Sequence, residues 1–187
     1  MRSLIVTAFV SADGVAEGPG EDLAYRNAGW TMTGAPFDMA AFEIKGREQE
    51  EAGALLLGRR SYEMFAPVWP GMEDFARYNA LPRYVASTTL TADDERWPAT
   101  IVRTLNEVAA LKEADGGPIL VHGSLALGRS LLTAGLVDRY HLLVYPVLLG
   151  AGARLWPDAD ASMTKLSVAE HEVYANGVQK LVYDVQR

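Results

Sequence analysis

The sequence predicts an α/β fold built on a mostly parallel sheet, and three observations support that class. Short apolar runs alternate with helical patterns along most of the 187 residues. Several of these runs are apolar throughout, which is typical of strands that helices cover on both faces. Near the end of the chain, two further runs flank Asn176 and Gly177, a pair that favours tight hairpins. We therefore expect a mixed sheet of about eight strands, flanked by four or five helices, with an antiparallel C-terminal hairpin.

The elements of the first half follow from local patterns. Residues 4–10 predict a buried strand, and Asp13 with Gly14 forms the turn that ends it. Residues 16–36 carry glycines and prolines without periodicity, so they predict a long loop. The elements expected next are helices over residues 38–52, 61–67 and 73–81, and strands over residues 54–58, 83–87 and 100–103.

Capping signals mark the helices of the second half. Thr104 and Glu107 match a capping box, and Gly116 follows the expected end of that helix. Gly135 closes a second helix, and Pro146 interrupts a long apolar strand. The remaining expected elements are strands over residues 118–122, 140–149, 165–174 and 178–185, and a helix over residues 124–134.

The composition predicts a single compact domain over residues 1–187, since hydrophobic residues make up 49% of the chain. The net charge of −7 argues against broad nucleic-acid binding, and no apolar run reaches the length of a membrane span. Without cysteines, disulfides, iron–sulfur clusters and cysteine-ligated zinc are excluded, and with three dispersed histidines we expect no metal site. The start of the sequence lacks a signal-peptide profile, so a cytoplasmic location is expected.

The most informative segment is an apolar strand that delivers two arginines to a helix. Residues 54–57 are apolar, Gly58 ends the run, and Arg59, Arg60 and Ser61 follow. The free N–H groups at a helix N-terminus favour an anion, and guanidinium groups bind phosphate through forked hydrogen bonds. The segment therefore predicts a phosphate site, with a solvated basic turn as the alternative interpretation.

A second turn of this kind follows the strand that contains Val121. There Gly123 lets a ligand approach the backbone, and Ser124 either caps the next helix or contacts phosphate. Two strand ends that open onto helices are suited to the two ends of a dinucleotide. The alternative is that Gly123 and Ser124 only form a tight turn between strand and helix. A leading G-x-G-x-x-G motif is absent, which argues against an ordinary Rossmann fingerprint.

Six segments, in order along nearly the whole chain, carry a resemblance to a known family. They are SADGV at 11–15, LGRRSYE at 57–63, YVASTTL at 84–90, VHGS at 121–124, GLVD at 135–138 and PVLLGAG at 146–152. Together they resemble the dihydrofolate reductase superfamily, and more closely the stand-alone proteins similar to the reductase domain of riboflavin biosynthesis. The resemblance implies a dihydrofolate-reductase-like three-layer fold and NADPH as the cofactor.

The same resemblance implies which residues contact the cofactor. Arg59, Arg60 and Ser61 would hold the adenosine phosphates, including the 2′-phosphate. The remaining contacts that it implies are Gly58 in the same turn, Ser87 and Thr88 at the adenine ribose, Val121, Gly123, Ser124 and Leu125 at the diphosphate, Leu127 beside the nicotinamide ring, and the backbone groups of Ala8 and Val15 at the carboxamide.

The substrate side is marked by fewer residues. In dihydrofolate reductases a carboxylate on the first helix anchors the substrate, and Asp38 is the nearest candidate here, with a helix cap as its alternative role. Asp13 lies where a substrate would enter, and Trp30 is the aromatic residue of the long loop that is best placed to stack. The cleft is therefore expected between residues 10–15, the loop around Trp30 and the helix that begins near Asp38.

The function implied is an NADPH-dependent reductase that transfers hydride to a small heterocyclic (pterin- or pyrimidine-like) or carbonyl substrate. It would be similar to phosphoribosylaminouracil reductase or dihydrofolate reductase. The deaminase of the riboflavin enzyme is excluded because its Cys-x-x-Cys zinc site needs cysteines. The alternatives are a non-catalytic nucleotide- or ligand-binding protein of the same fold and a structural dimer module. Closely spaced apolar residues over 142–148 and 178–185 predict a homodimer.

Overall fold

Residues 1–20, 25–156 and 163–186 are described by the computed structural model. The strands in these ranges are β1 (Leu4–Ser11), β2 (Ala54–Gly58), β3 (Arg83–Ala86), β4 (Thr100–Val102), β5 (Ile119–His122), β6 (Arg139–Tyr145), β7 (Leu166–Val173) and β8 (Gln179–Val185). The α-helices are α1 (Trp30–Thr33), α2 (Met39–Glu51), α3 (Arg59–Phe65), α4 (Ala76–Ala80), α5 (Leu105–Glu113) and α6 (Leu125–Thr133), and short 3₁₀ helices cover Trp69–Gly71 and Glu73–Phe75.

The eight strands form one mixed sheet in the order β4-β3-β2-β5-β1-β6-β8-β7. Strand β2 pairs in parallel with β3 and β5, and β3 pairs in parallel with β4. Strand β8 pairs antiparallel with β6 and β7, so the C-terminal hairpin is antiparallel. The predicted fold class, a mostly parallel sheet of eight strands with flanking helices and this hairpin, is confirmed.

The chain divides into two compact units. The first comprises Met1–Val6 with Lys45–Asp138, and the second comprises Thr7–Ile44 with Arg139–Arg187, so β1 and α2 each supply residues to both. The single domain stays a prediction.

An aromatic cluster forms much of the core of the first unit. Trp69 stacks on Tyr78 with ring centroids 5.7 Å apart, and Tyr62 stacks on Trp97 at 5.8 Å. The guanidinium of Arg83 lies 3.8 Å from the centre of the Trp97 ring, and burial lowers the pKa of Arg83 to about 10. These large rings fill the space between the sheet and its helices, where aromatic contacts add to the stabilisation from burial alone.

A buried ion pair fastens the first strand of the same unit. Lys112, on α5, donates to the carbonyl of Leu136 at 2.6 Å and to Oδ2 of Asp138 at 2.5 Å. The same Oδ2 accepts a hydrogen bond from the backbone N–H of Leu4 at 2.7 Å. One carboxylate therefore connects a helix, the start of β1 and the segment that precedes β6.

In the second unit, Trp30 lies in the core rather than on the surface. Its ring is 3% exposed and packs edge-on against Tyr145 with centroids 5.4 Å apart. The indole N–H donates to the carbonyl of Glu17 at 2.8 Å. Burial of this side chain explains why the segment predicted as a continuous loop contains the short helix α1 at Trp30–Thr33.

Helix α3 and strand β6 are among the elements whose bounds differ from the expected ones. Helix α3 begins at Arg59 rather than at Ser61, with Gly58 in an extended conformation before it. Strand β6 ends at Tyr145 because Pro146 has no N–H to donate to a neighbouring strand. The strands of the hairpin are β7 and β8, and Gly177 between them adopts a φ of 83°, a conformation that favours glycine.

Candidate functional site

The parallel register places three strand ends side by side in the first unit. Gly58 of β2 lies opposite Ala86 of β3, and Ala86 lies opposite Val102 of β4. Ligands of open α/β sheets bind at the carboxyl ends of strands, and the residues that follow these three ends are therefore candidates for binding. They are Arg59, Ser87 and Arg103, respectively.

The two turns found in the sequence are joined by reciprocal serine hydrogen bonds. The hydroxyl of Ser61 donates to the carbonyl of Gly123 at 2.9 Å, and the backbone N–H of Gly58 donates to Oγ of Ser124 at 2.9 Å. The Ser124 hydroxyl in turn donates to the carbonyl of His122 at 3.0 Å. We call residues 58–61 and 123–125 with these bonds the paired turn. The bonds hold its two halves, which lie far apart in sequence, in one fixed arrangement.

These contacts correct the expected roles of both serines. Neither hydroxyl caps its helix: Ser61 lies inside α3, and Ser124 precedes α6 without a capping hydrogen bond from its side chain. Each hydroxyl instead donates to a carbonyl across the paired turn or within it. Their contact with phosphate stays a prediction.

Glycine is required at position 123. Gly123 has a φ of 60°, and a Cβ there would lie 3.2 Å from the ring of Phe65. The left-handed φ and the nearby Phe65 ring both disfavour a larger residue here. Among the other predicted cofactor residues in this region, Val121 is buried in β5, whereas Leu125 and Leu127 are half-buried on α6.

Basic side chains stand at two of the three strand ends. Arg59 is about half exposed and pairs with Glu63 at 3.4 Å, a surface contact that contributes little to stability. Arg60 is exposed beside it. Arg103, which the sequence interpretation missed, donates from its guanidinium to the carbonyl of Ser87 at 2.7 Å. The signal that could have found Arg103 is its position directly after a third parallel strand.

The Ser87 turn is ordered by its own side chain. Oγ of Ser87 accepts hydrogen bonds from the N–H groups of Thr89 at 3.2 Å and Leu90 at 2.9 Å, and Thr88 is exposed at the tip. The first unit therefore brings Gly58–Ser61, Ser87, Thr88 and Gly123–Leu125 to the carboxyl ends of its parallel strands, as the sequence predicted.

In the second unit, the carboxylate of Asp13 fixes a turn. It accepts hydrogen bonds from the Ser11 hydroxyl at 2.6 Å and from the N–H groups of Leu149 at 3.2 Å and Gly150 at 2.8 Å. The Ser11 hydroxyl, with the N–H groups of Gly150 and Leu149, lowers the pKa of Asp13 to about 2. Its oxygens are engaged in holding two chain segments together, and its contact with a substrate stays a prediction.

Ala8 and Val15, whose backbone groups are implied to contact the nicotinamide carboxamide, lie in different surroundings. Ala8 is buried within β1. Val15 donates its N–H to Oγ of Ser11 at 2.9 Å and accepts from the Ser11 N–H at 2.8 Å. Both backbone groups of Val15 are therefore already bonded in this conformation.

Asp38 caps helix α2, and its neighbours in sequence are exposed apolar residues. Its Oδ1 accepts a hydrogen bond from the N–H of Ala40 at 3.0 Å, which is the geometry of a helix N-cap for α2. Phe37 and Met39, on either side, are 72% and 69% exposed, and Phe37 packs on Phe42 at 5.2 Å. Trp30, buried in the core, does not present its ring at this surface; its contact with substrate stays a prediction.

Two kinds of feature are absent from the described ranges. Within residues 1–20, 25–156 and 163–186, no helix is both long enough and apolar enough to cross a membrane. The same residues bring no group of three His, Cys, Asp or Glu side chains together as a metal site.

The sheet order and the antiparallel hairpin define a dihydrofolate-reductase-like fold. The chain belongs to the RibD C-terminal domain family, whose model matches residues 2–180. Among individual proteins, it is 25% identical to the uncharacterized protein YyaP of Bacillus subtilis over 189 aligned residues, which cover 97% of this chain and 94% of that protein.

Solved structures support the same fold. A Shewanella protein described as a riboflavin biosynthesis protein superimposes with a TM-score of 0.80 at 21% identity, covering 99% of both chains. A pyrimidine reductase-like protein from Corynebacterium diphtheriae gives a TM-score of 0.68 at 15% identity, covering 99% of this chain and 92% of the other. Dihydrofolate reductase from Enterococcus faecalis, in complex with NADP(H), gives 0.65 at 14% identity, covering 99% and 97%.

Proposed function

We propose that the protein is an NADPH-dependent reductase whose first unit holds the adenosine and diphosphate parts of the cofactor. The observation that carries this proposal is the paired turn. Gly123 carries no side chain and has the positive φ that favours glycine, the two serines fix the turn, and Arg59 stands at the end of the adjoining strand. Glycine-lined turns with guanidinium groups are suited to a phosphorylated dinucleotide in an otherwise acidic protein.

The division of chemistry between cofactor and protein follows from this site. When bound, NADPH supplies the hydride. The protein binds and orients the cofactor and excludes water. Arg59, Arg60 and Arg103 provide positive charge near the Ser87 turn, where the 2′-phosphate would lie. Such a reductase needs few acid–base residues, which agrees with the small number of candidate carboxylates.

The substrate is proposed to be a planar heterocycle that donates hydrogen bonds. Asp38 offers a half-buried carboxylate, and the exposed side chains of Phe37 and Met39, its neighbours in sequence, give apolar surface on either side. A carboxylate accepts hydrogen bonds from ring N–H and amino groups, while the apolar side chains pack on a flat ring. A carbonyl compound without such donors would use only part of this surface.

The alternative is a ligand-binding protein that keeps the fold without turnover. The two functions differ in a single assay, namely the oxidation of NADPH in the presence of pterins, aminopyrimidines and small carbonyl compounds. Turnover with any of these supports the reductase. NADPH binding without turnover of any compound in the panel supports the binding protein.

The coenzyme preference provides the first test. Replacement of Arg59 by alanine is expected to weaken NADPH binding about tenfold or more, because a charged hydrogen-bond partner of phosphate is lost. NADH, which lacks the 2′-phosphate, should lose much less affinity. Both dissociation constants are measured by calorimetric titration.

Arg96→Ala provides the matched control for that titration. Arg96 is also an exposed arginine of the first unit, and its guanidinium pairs with Asp94 at 2.7 Å. Its replacement should leave both affinities unchanged. Equal affinity of the wild-type protein for NADPH and NADH would contradict the proposed 2′-phosphate site.

A homodimer is proposed from the outermost strand of the sheet. Leu142, Leu143 and Val182, which belong to the apolar residues from which the sequence predicts a homodimer, are buried within the chain itself. Strand β7 instead exposes Leu166, Val168 and Val173 at 37%, 56% and 69%. Apolar side chains on an edge strand favour association with another chain, and a symmetric pair is the commonest outcome.

Light scattering tests the association directly. The wild-type mass at micromolar concentration should be twice the chain mass of 20.3 kDa. Val168→Lys should halve it, because a charge on the pairing strand would be buried on association. A wild-type monomer at that concentration would contradict the proposal.

A further inference from the structure

The turn between β7 and β8, in the second unit, is fixed by its own hydrogen bonds. The N–H of Gly177 donates to the carbonyl of Tyr174 at 2.9 Å, and the N–H of Tyr174 donates to the carbonyl of Val178 at 2.9 Å. Oδ1 of Asn176 accepts a hydrogen bond from the N–H of Val178 at 3.0 Å. We call residues 174–178 the hairpin turn. These bonds give the side chain of Asn176 a defined starting point.

The side-chain amide of Asn176 also reaches a second segment of the chain. Its Nδ2 donates to the carbonyl of Pro36 at 2.8 Å, a contact between residues 140 positions apart. Since Oδ1 already accepts from Val178, the two ends of one amide connect the hairpin turn to the segment before α2. Asparagine can make both bonds because its amide carries an acceptor and donors, whereas aspartate carries acceptors only.

Buried side chains link the same two segments. Tyr174 and Val178, at the two ends of the hairpin turn, are 9% and 0% exposed. They belong to one core cluster with Ala35 and Ala41. These two alanines lie three positions before and three positions after Asp38. The cluster that contains the ends of the hairpin turn therefore includes residues on both sides of Asp38.

The chain has little burial of its own between these two alanines. Pro36 is exposed, and Phe37, which follows it, is 72% exposed. The bond from Asp38 to the N–H of Ala40, at 3.0 Å, is exposed as well. The ring of a proline locks φ, so ψ is the free backbone angle of Pro36, and ψ sets the direction of its carbonyl. A hydrogen bond to that carbonyl thus fixes the path of the chain toward Asp38.

We infer that Asn176 is a positioning residue, which holds the carbonyl of Pro36 and thereby sets the place of the Asp38 carboxylate. This inference rests on the proposed function, because there Asp38 anchors the substrate. Its physical basis is that a displacement of about 1 Å at a reacting group costs up to about a hundredfold in rate. The hairpin turn would then contribute to the substrate side without touching the substrate.

Backbone amide NMR and hydrogen exchange test the positioning without turnover. Asn176→Asp keeps the acceptor for Val178 but puts an oxygen against the carbonyl of Pro36. The amide resonances of Phe37, Asp38 and Ala40 should shift, and the Ala40 N–H should exchange at least about threefold faster. Wild-type resonances and exchange at these positions would overturn the inference.

Gln186→Glu is the matched control for this replacement. Nε2 of Gln186 donates to Oγ of Ser167 at 2.6 Å, at the open end of the same hairpin. The change again turns an amide donor into a carboxylate, with the same change in charge. It should leave the resonances of residues 37–40 at their wild-type positions. Equal shifts with both variants would overturn the inference, because charge alone would then explain them.

Steady-state kinetics shows whether Asn176 acts through Asp38. With an acceptor that the wild-type protein reduces, Asn176→Asp and Asn176→Gly should each lower kcat about tenfold, and Gln186→Glu should not. In an Asp38→Asn background, Asn176→Asp should cause no further loss, since residues that act through one group are not additive. Independent, multiplying losses would overturn the inference, and so would a loss in Asn176→Asp without one in Asn176→Gly.

The outcomes for this inference and for the proposed function are distinguishable. NADPH affinity should stay within about twofold of wild type in every Asn176 variant, because the residue is assigned to the substrate side. Absence of turnover in the wild-type protein would contradict the reductase, and the NMR comparison would then decide the positioning role alone. Turnover in the wild-type protein with an unchanged kcat in Asn176→Asp would overturn the inference and leave the reductase standing.

Discussion

Replacement of Lys112 by methionine is expected to lower the free energy of unfolding by about 3 kcal/mol. The side chain of Lys112 is 4% exposed, and its ammonium supplies the hydrogen bonds to Asp138 and to the carbonyl of Leu136. Methionine retains most of the volume and removes the charge. The Asp138 carboxylate then loses the Lys112 ammonium, and the half-buried carbonyl of Leu136 loses its donor, which is more costly than the lost attraction alone.

Thermal unfolding measures this loss. In a chain of this size, 3 kcal/mol corresponds to a decrease in Tm of roughly 6–12 °C. Lys165→Met is the control, because Lys165 is an exposed residue and its replacement should change stability by about 0.5 kcal/mol or less. Equal Tm values for the two variants would contradict a stabilising role for the ion pair.

The parts of the fold that the sequence predicted are those encoded by neighbouring residues. Thr104 caps α5 as expected, with its Oγ1 accepting the N–H of Glu107 at 3.2 Å. Glu107 departs from the usual capping box in one detail: its carboxylate accepts from the N–H of Arg103 at 2.8 Å, one residue before the cap. Local patterns therefore gave the element and its start, while the partner of the second hydrogen bond depended on the final geometry.

Contacts between distant residues could not be predicted in the same way. Ser61 and Gly123 are 62 positions apart, and nothing near either residue indicates that a hydroxyl of one turn donates to a carbonyl of the other. The pattern of Ser61 is that of an N-cap, which it is not, because α3 begins two residues earlier. In parallel sheets, the register that brings strand ends together is set by the crossover helices rather than by local sequence.

A candidate phosphate site leaves a clearer sequence pattern than a candidate substrate site for a related reason. Phosphate binding uses backbone N–H groups, glycines and arginines that follow a strand, and these leave a short sequence pattern. Substrate binding uses side chains whose exposure is decided by packing. Trp30 is buried and Phe37 is exposed, although both are aromatic residues of the same region.

Replacement of Asp38 by asparagine is expected to reduce kcat by at least about a hundredfold, if the carboxylate anchors and helps to protonate the substrate. Asparagine keeps an oxygen for the N–H of Ala40 and caps a helix about as well as aspartate, so Tm should be nearly unchanged. NADPH affinity should also be unchanged, because Asp38 is assigned to the substrate and not to the cofactor.

Glu43→Gln is the matched control for this replacement, because Glu43 is an exposed carboxylate on the same helix α2. Its loss should leave kcat, Tm and NADPH affinity at wild-type values. Steady-state kinetics with the best acceptor gives kcat and KM for each variant. Wild-type turnover in Asp38→Asn would assign Asp38 to the helix cap alone, and substrate protonation would then require solvent or another group. A hundredfold loss with an intact helix would show that charge, rather than capping, is what this position contributes.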